Sequence, residues 1–510
     1  MNFPIISTIL ALPLLAALVS CFIPREQGVK VRNLAAGAMW IDLGLTLIMF
    51  FNYDIMTGGI QFAENIPWIT DLGVAYSVGV DGISMPLLLL ANAIGLSAIY
   101  ESWNTEKRTK EFFILLLFLI AAVMGTFVAR DIFIFLICYE GGIIPIYILV
   151  LIWGSTKRVS KEYAGLKLTL YLLIGSGFML VGIVYIYLTA FPEGMRTFDM
   201  DALVRASQSG VFSAEFQRVA FLLLAMAFAP LLSMCPFHNW SPDGHAGAPT
   251  AVSMIHAGLL KKIGVYGLLR IGFMILPLGA KFWAPVLAFC AMLSVVYAGY
   301  IAMVQKDLKY IIGYSSVSHM GYILLGFSAL NIVSVSGAVG NMVAHGMMSA
   351  LFFSQIGYVY EKTHLRSIPE ICGLAHQMPK VTVGFMLAGM ASVGLPGLIS
   401  FVPEITIFMG TIGVYPVFAV AAIAGIIVTA LYVLRMLAKV LFGPRSERFD
   451  HYPDEQGADM FPLLILGTFI VCFGLFPQLI FGLIGSGVEP LAPIFEQIAD
   501  APTVLGGVPW

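Results

Sequence analysis

Several ionisable side chains lie where the sequence offers them no water. Glu140 sits in the middle of the apolar run DIFIFLICYEGGIIPIYILV, and Glu404 lies in GLPGLISFVPEITIF. Lys261 and Lys262 fall in HAGLLKKIGVYGLLR, with Arg270 two turns further on. Lys167 begins another apolar run, and His256, His319 and His345 fall inside others. Charge at bilayer depth costs at least about 2.5–3.5 kcal/mol per residue, so an ionisable group held there is a functional candidate by default. Carboxyl, amine and imidazole groups are also the side chains that take up and release protons. The chemistry they suggest is ion transfer, most directly proton transfer.

Each residue also has a plainer reading. Arg270 and Lys167 lie near helix ends, where a long side chain can snorkel to the interface. Lys261 and Lys262 are adjacent and point about 100° apart on a helix, so one can face the interior and the other a neighbour. Glu140 could be a neutral, hydrogen-bonded carboxyl that only fixes packing, although no stabilising need explains a carboxyl there. His319 and His345 come in successive helices, which favours a relay over packing.

The elements that must hold these groups are membrane helices. Of 510 residues, 59% are hydrophobic and 11% charged, against about 25% charged in soluble domains. Runs of about 20 apolar residues occur near 3–23, 34–52, 81–100, 112–129, 131–153, 166–190, 218–236, 249–276, 282–303, 307–328, 331–358, 381–410, 414–442 and 460–484. The expectation is an all-α polytopic protein of about fourteen spans, with no competing strand alternation. The first stretch has no basic n-region and reads as a retained helix. Residues 191–217 have room for a short interfacial helix, and 485–510 form an amphipathic tail. Basic residues in the loops after odd-numbered spans, Lys309 among them, outnumber those after even-numbered spans by roughly 17 to 5. That places the odd loops in the cytoplasm and both termini outside.

Net charge is −2, which gives no basic field for nucleic acid. Cys21, Cys138, Cys235, Cys290, Cys372 and Cys472 are scattered, form no CxxC pair and read as apolar fillers. No redox-centre or dinucleotide motif is present.

Two runs read as broken helices. Pro230 and Pro236 interrupt span 7, and Gly394, Pro396, Gly397 and Pro403 interrupt span 12. Non-helical backbone at membrane depth is tolerated where protein or a wet cavity satisfies it. Paired breaks point to inverted repeats, and an offset of five spans fits repeats over spans 4–8 and 9–13. The resulting division is 1–111, 112–278, 279–442 and 443–510.

The segments SVGVDGISMPL, YEGGIIPIYILVLIWG, PFHNWSPDGHAGAPTAVSMIHAGLLKKIGVYGLLR, KDLKYIIGYSSVSHMGYILLG, NMVAHGMMSALFF and GLPGLISFVPEI resemble the antiporter-like subunit M (chain 4) of complex I-type NADH–quinone oxidoreductases, respiratory or photosynthetic. The resemblance implies the fourteen helices, the inverted repeats and a polar axis along the membrane plane. It implies a transfer path through Glu140 on helix 5, Lys262 on helix 8, His319, His345 and Glu404 on helix 12. His238, Asp243, His256, Lys261 and Lys167 would support it. It implies neighbouring membrane-arm subunits as partners, with quinone, flavin and iron–sulfur clusters in partner chains and no cofactor or metal in this one. The host would be an inner or thylakoid-type membrane. One departure stands out. The family's helix 7 lysine, the usual partner of the helix 5 glutamate, corresponds to Leu231, so Glu140 lacks that cation. Lys167 is the nearest substitute by the same resemblance. A sodium/proton antiporter subunit of the Mrp type and a non-pumping structural subunit are the rival readings.

Overall fold

The computed structural model describes residues 3–500. The chain is a bundle of long helices, and twelve among the described residues are long and apolar enough to cross a membrane. Polar caps start many of them: the side chains of Asp131, Ser160, Asp199, Ser213, Asp307 and Asn331 each accept a backbone N–H of the following first turn. Pro277, Pro379 and Pro416 occupy first helical positions, where a missing N–H costs nothing.

The helices Leu308–Ser328 and Ile332–Thr363 are long but fall outside the twelve. They carry serines, histidines and an asparagine and lie almost wholly buried at the centre of the bundle. A helix surrounded by protein need not be apolar, because its neighbours rather than lipid satisfy it. The helix Thr250–Phe273 is likewise buried throughout. It contains two π-helical stretches, His256–Leu260 and Leu268–Phe273, flanking Lys261–Gly267. Such widened turns occur often at functional sites.

Both expected breaks are present. Ala214–Leu231 stops just after Pro230, and the chain resumes as Trp240–Gly247. Pro379–Val393 ends on Gly394 at φ +75°, and Phe401–Ile412 continues beyond it. The expected single span 460–484 is instead two helices, Phe461–Leu475 and Gln478–Val488. Pro477 removes a backbone donor there. At Gly474 the chain also presses on the GLPG break: a Cβ would stand 2.3 Å from the Gly397 carbonyl oxygen.

The expectation of no strands fails at one place. Gln61–Ile69 pairs antiparallel with Val74–Val80. The pattern was hidden because the pairing is irregular beside Pro67, as a residue with no N–H to give requires, and because the second strand runs straight into the next apolar helix. A short helix, Met200–Gln208, fills the 191–217 stretch. Of the amphipathic tail, Ala492–Asp500 is helical, and 501–510 lie outside the described residues.

The loops after odd-numbered spans gather on one face. Lys157 Nζ donates to the His364 carbonyl, and Arg366 pairs with Asp307 at 2.7 Å. The hairpin lies towards the other end: Arg130 N donates to the Ser77 carbonyl at 2.9 Å.

Candidate functional site

Lys262 extends from the helix Thr250–Phe273 into the bundle and is wholly buried. Its Nζ donates to the carbonyl of Ala257, inside the first π-helical stretch. The same Nζ lies 2.5 Å from His345 Nδ1. Either the amine or the imidazole can carry the hydrogen between them. In either case two bases share one proton position.

The row continues without a gap in burial. The His345 and His319 rings are 5.4 Å apart. His319 Nε2 meets Ser392 Oγ at 3.2 Å. Its Nδ1 stands 3.8 Å from Glu404 Oε1, and neither atom has a hydrogen-bond partner. That separation exceeds a direct bond. It suits a bridging water or a small closing motion.

The second helix break places Glu404. The carboxyl lies in the first turn of Phe401–Ile412, where the helix dipole favours negative charge. A Cβ on Gly394 would sit 2.6 Å from Glu404 Oε2. The glycine therefore serves both the left-handed turn and the approach of the carboxyl.

On the other side of Lys262, Lys261 Nζ donates to Ser316 Oγ at 2.9 Å. Lys167 pairs with Asp243 at 2.7 Å, and Tyr310 Oη donates to the other carboxylate oxygen at 2.7 Å. His238 is buried, with Nδ1 3.2 Å from Cys235 Sγ and Nε2 unpartnered. His256 stacks between Trp240 and His245 at 4.9 and 4.1 Å.

Three expectations need correction. Arg270 does not snorkel: it is 3% exposed and Nη2 grips both Asp81 oxygens. Buried charge-assisted bonds to a carboxylate gain more than reaching for the surface. Lys167 does not replace the missing cation of Glu140, because Asp243 already holds it. Glu140 is not enclosed in the interior. It is half-buried, with no hydrogen bond or ion pair among the described residues, and shares its helix face with exposed Ile137 and Ile144. Leu231 fills its own position by packing on Gly264, where a Cβ would lie 3.2 Å from its side chain. Lys262, His345, His319 and Glu404 are brought together, and Glu140 is left outside that row.

Four polar side chains near the row lie outside the path expected from sequence: Ser316, Ser392, His245 and Lys309, the last expected as loop charge. Lys309 belongs to no loop. It is 2% exposed and donates to the Ala248 carbonyl at 2.8 Å. Asp307 as the helix N-cap puts Lys309 inside the first turn of the helix, and that was the available signal.

The matching family model is the transmembrane family of NADH:quinone oxidoreductase and Mrp antiporters, and it covers residues 129–430. The chain belongs to this family. The chain is 35% identical to NAD(P)H-quinone oxidoreductase chain 4 2 of Microcystis aeruginosa, over 94% of this chain and 91% of that one. It is 34% identical to NAD(P)H-quinone oxidoreductase chain 4 of Gloeobacter violaceus, over 99% and 97%. Among solved structures, it superposes on a chain of respiratory complex I from Thermus thermophilus with TM-score 0.87 and 26% identity, covering 98% and 100%. A chain of the Mrp complex from Dietzia has TM-score 0.83 at 19% identity over 98% and 100%, a likeness of fold.

Proposed function

We propose that this family member is a proton-translocating membrane-arm subunit of a complex I-type NAD(P)H–quinone oxidoreductase, with Lys262, His345, His319 and Glu404 as its transfer path. The observation that carries this reading is the contiguous buried row itself. Four proton-exchanging groups from separate helices meet in an interior that would otherwise exclude them. Each takes one proton and gives one, so a single excess proton advances from Lys262 through the imidazoles to Glu404. Loading one site shifts its neighbour through a poorly screened medium, which is how distant events reach the row.

Electrons run in partner subunits, which hold the flavin, iron–sulfur clusters and quinone. Lys261, Lys167, Asp243, His238 and His256 shape the approach to Lys262. Glu140, on an outward face, is the group presented to a neighbouring subunit. The paired breaks at 232–239 and 394–400 support two inverted repeats, 112–278 and 279–442, between the leading helices 1–111 and the closing 443–510, in about fourteen crossings. The gathered basic loops face the cytoplasm of an inner or thylakoid-type membrane, with both termini on the outer side.

The relatives bear chain 4 names and favour this reading over a sodium/proton antiporter. The connected row favours it over a purely structural subunit. The test is Lys262→Met in the complete complex in sealed vesicles. Quinone reduction persists in part while protons moved per quinone fall. An unchanged proton-to-quinone ratio defeats the proposal, and sodium-dependent transport would transfer it to the antiporter class.

A further inference from the structure

One face of the helix Leu308–Ser328 carries Lys309, Gly313, Ser316 and His319, spaced four, three and three residues apart. At about 100° per residue the four positions span about 120° of the helix surface, one broad face. Each position meets a polar or ionisable neighbour. Lys309 Nζ reaches the Ala248 carbonyl, and Lys261 Nζ reaches Ser316 Oγ. Gly313 lies against His245: a Cβ there would be 3.7 Å from His245 Cδ2. His319 already belongs to the row.

His245 and His256 stack at 4.1 Å, are 0% and 1% exposed, and leave all four ring nitrogens without a protein partner. A buried polar atom with no partner costs about 1–3 kcal/mol, so sites of this kind hold ordered water. At the outer end, Asp307, Arg366 and Glu101 are the charged groups facing Lys309. Beside them opens a cavity of about 190 Å³ lined by Lys157, Arg158, Asp307, Arg366, Ser367 and Glu370. It lies on the face where the basic loops gather.

We propose that Lys309 and His245 form the proton-uptake branch that connects this loop-side cavity to the Lys262 row. The inference rests on the transport reading above. Water in the cavity gives a proton to the Lys309 amine. The ammonium passes it through water to one ring nitrogen of His245, which releases a proton from the other. His256 and water hand it to Lys261, and from there it reaches the Lys262–His345 pair. Only N–H and O–H bonds form and break; His245 ends each transfer in its other tautomer, and exchange of its two N–H positions through water resets it before the next.

The test uses the complete complex in vesicles and compares Lys309→Arg, Lys309→Met and His245→Phe. Arginine keeps the charge and the bond to Ala248 but does not release its proton in proteins. Phenylalanine keeps the stack on His256 and removes both nitrogens. All three variants are expected to assemble and reduce quinone yet lose the share of protons that Lys262→Met loses. Activity retained in Lys309→Arg but not in Lys309→Met makes the lysine a structural cation and overturns its part in the branch. Full pumping in His245→Phe overturns the branch as drawn. If Lys262→Met loses pumping while these variants keep it, the branch falls and the row stands. If Lys262→Met also pumps normally, the row falls with it.

Discussion

Glu404 and Glu140 are both carboxyls in membrane helices, and the fold treats them oppositely. Glu404 is 4% exposed, follows a helix break and faces His319 across 3.8 Å. Glu140 lies in an unbroken helix, half-buried, between exposed Ile137 and Ile144. The second half of the chain buries its carboxyl beside His319 and against Gly394 of the helix break. The first half offers Leu231 where a cation would serve and spends Lys167 on Asp243. A carboxyl facing hydrocarbon is too costly to persist without a role. Under the proposed function, the Glu404 end lies within this chain and the Glu140 end faces outward, where a neighbouring subunit would meet it.

The sharpest way to break that contrast is at the Glu404 end. Glu404→Gln preserves shape and hydrogen bonding but carries no proton. Pumping by this subunit should disappear, with quinone reduction slowed less than proton movement. Proton-to-quinone ratios in vesicles provide the measurement. A variant with the parental ratio would show that Glu404 is not on the path.

A smaller and differently distributed effect is expected from Glu140→Gln. No group among the described residues loses a partner, so the thermal stability of the isolated subunit in detergent should change by no more than about 0.5 kcal/mol. In the assembled complex, coupled pumping should fall, because the missing charge is one the neighbour answers. A stability loss in the isolated subunit would mean that Glu140 has an internal partner. Full coupling in the complex would remove it from transport altogether.

The sequence made one side of this contrast legible and hid the other. Ionisable residues stand out in apolar runs, so Lys262, His319, His345 and Glu404 could be picked out singly, and the GLPG break announced its own bend. Which way a side chain faces is not written in such runs. Glu140 sits in one of the most apolar stretches of the chain, yet its helix turns it outward. Arg270 and Asp81 are 189 residues apart, so no local pattern joins them. Lys309 follows a capping aspartate by two residues and read as loop charge, although its side chain turns into the bundle. The hairpin escaped because irregular pairing around Pro67 spoils alternation.

The smallest effect concerns the loop packed against the far end of the helix that carries His345. Glu455 is fully buried there and accepts from Gln355 Nε2 at 2.9 Å, on the helix that also carries His345. Its other carboxyl oxygen has no partner, and Lys380 Nζ binds its backbone carbonyl at 2.8 Å. Burial pushes this carboxyl up to about 7, with Asp454 and Asp459 acting in the same direction and Gln355 and Lys380 against it. An unfolded glutamate ionises near 4.5, so the folded loop keeps a proton that the unfolded loop has already lost. The stabilisation is complete below that lower value and disappears as pH rises through about 7. Amide hydrogen exchange across residues 441–456, corrected for its intrinsic pH dependence, should therefore accelerate between about pH 5 and 8. In Glu455→Gln, which is neutral throughout, the corrected rates should stay flat. Matching profiles in the two proteins would show that the Glu455 proton does not hold the loop against the helix of His345.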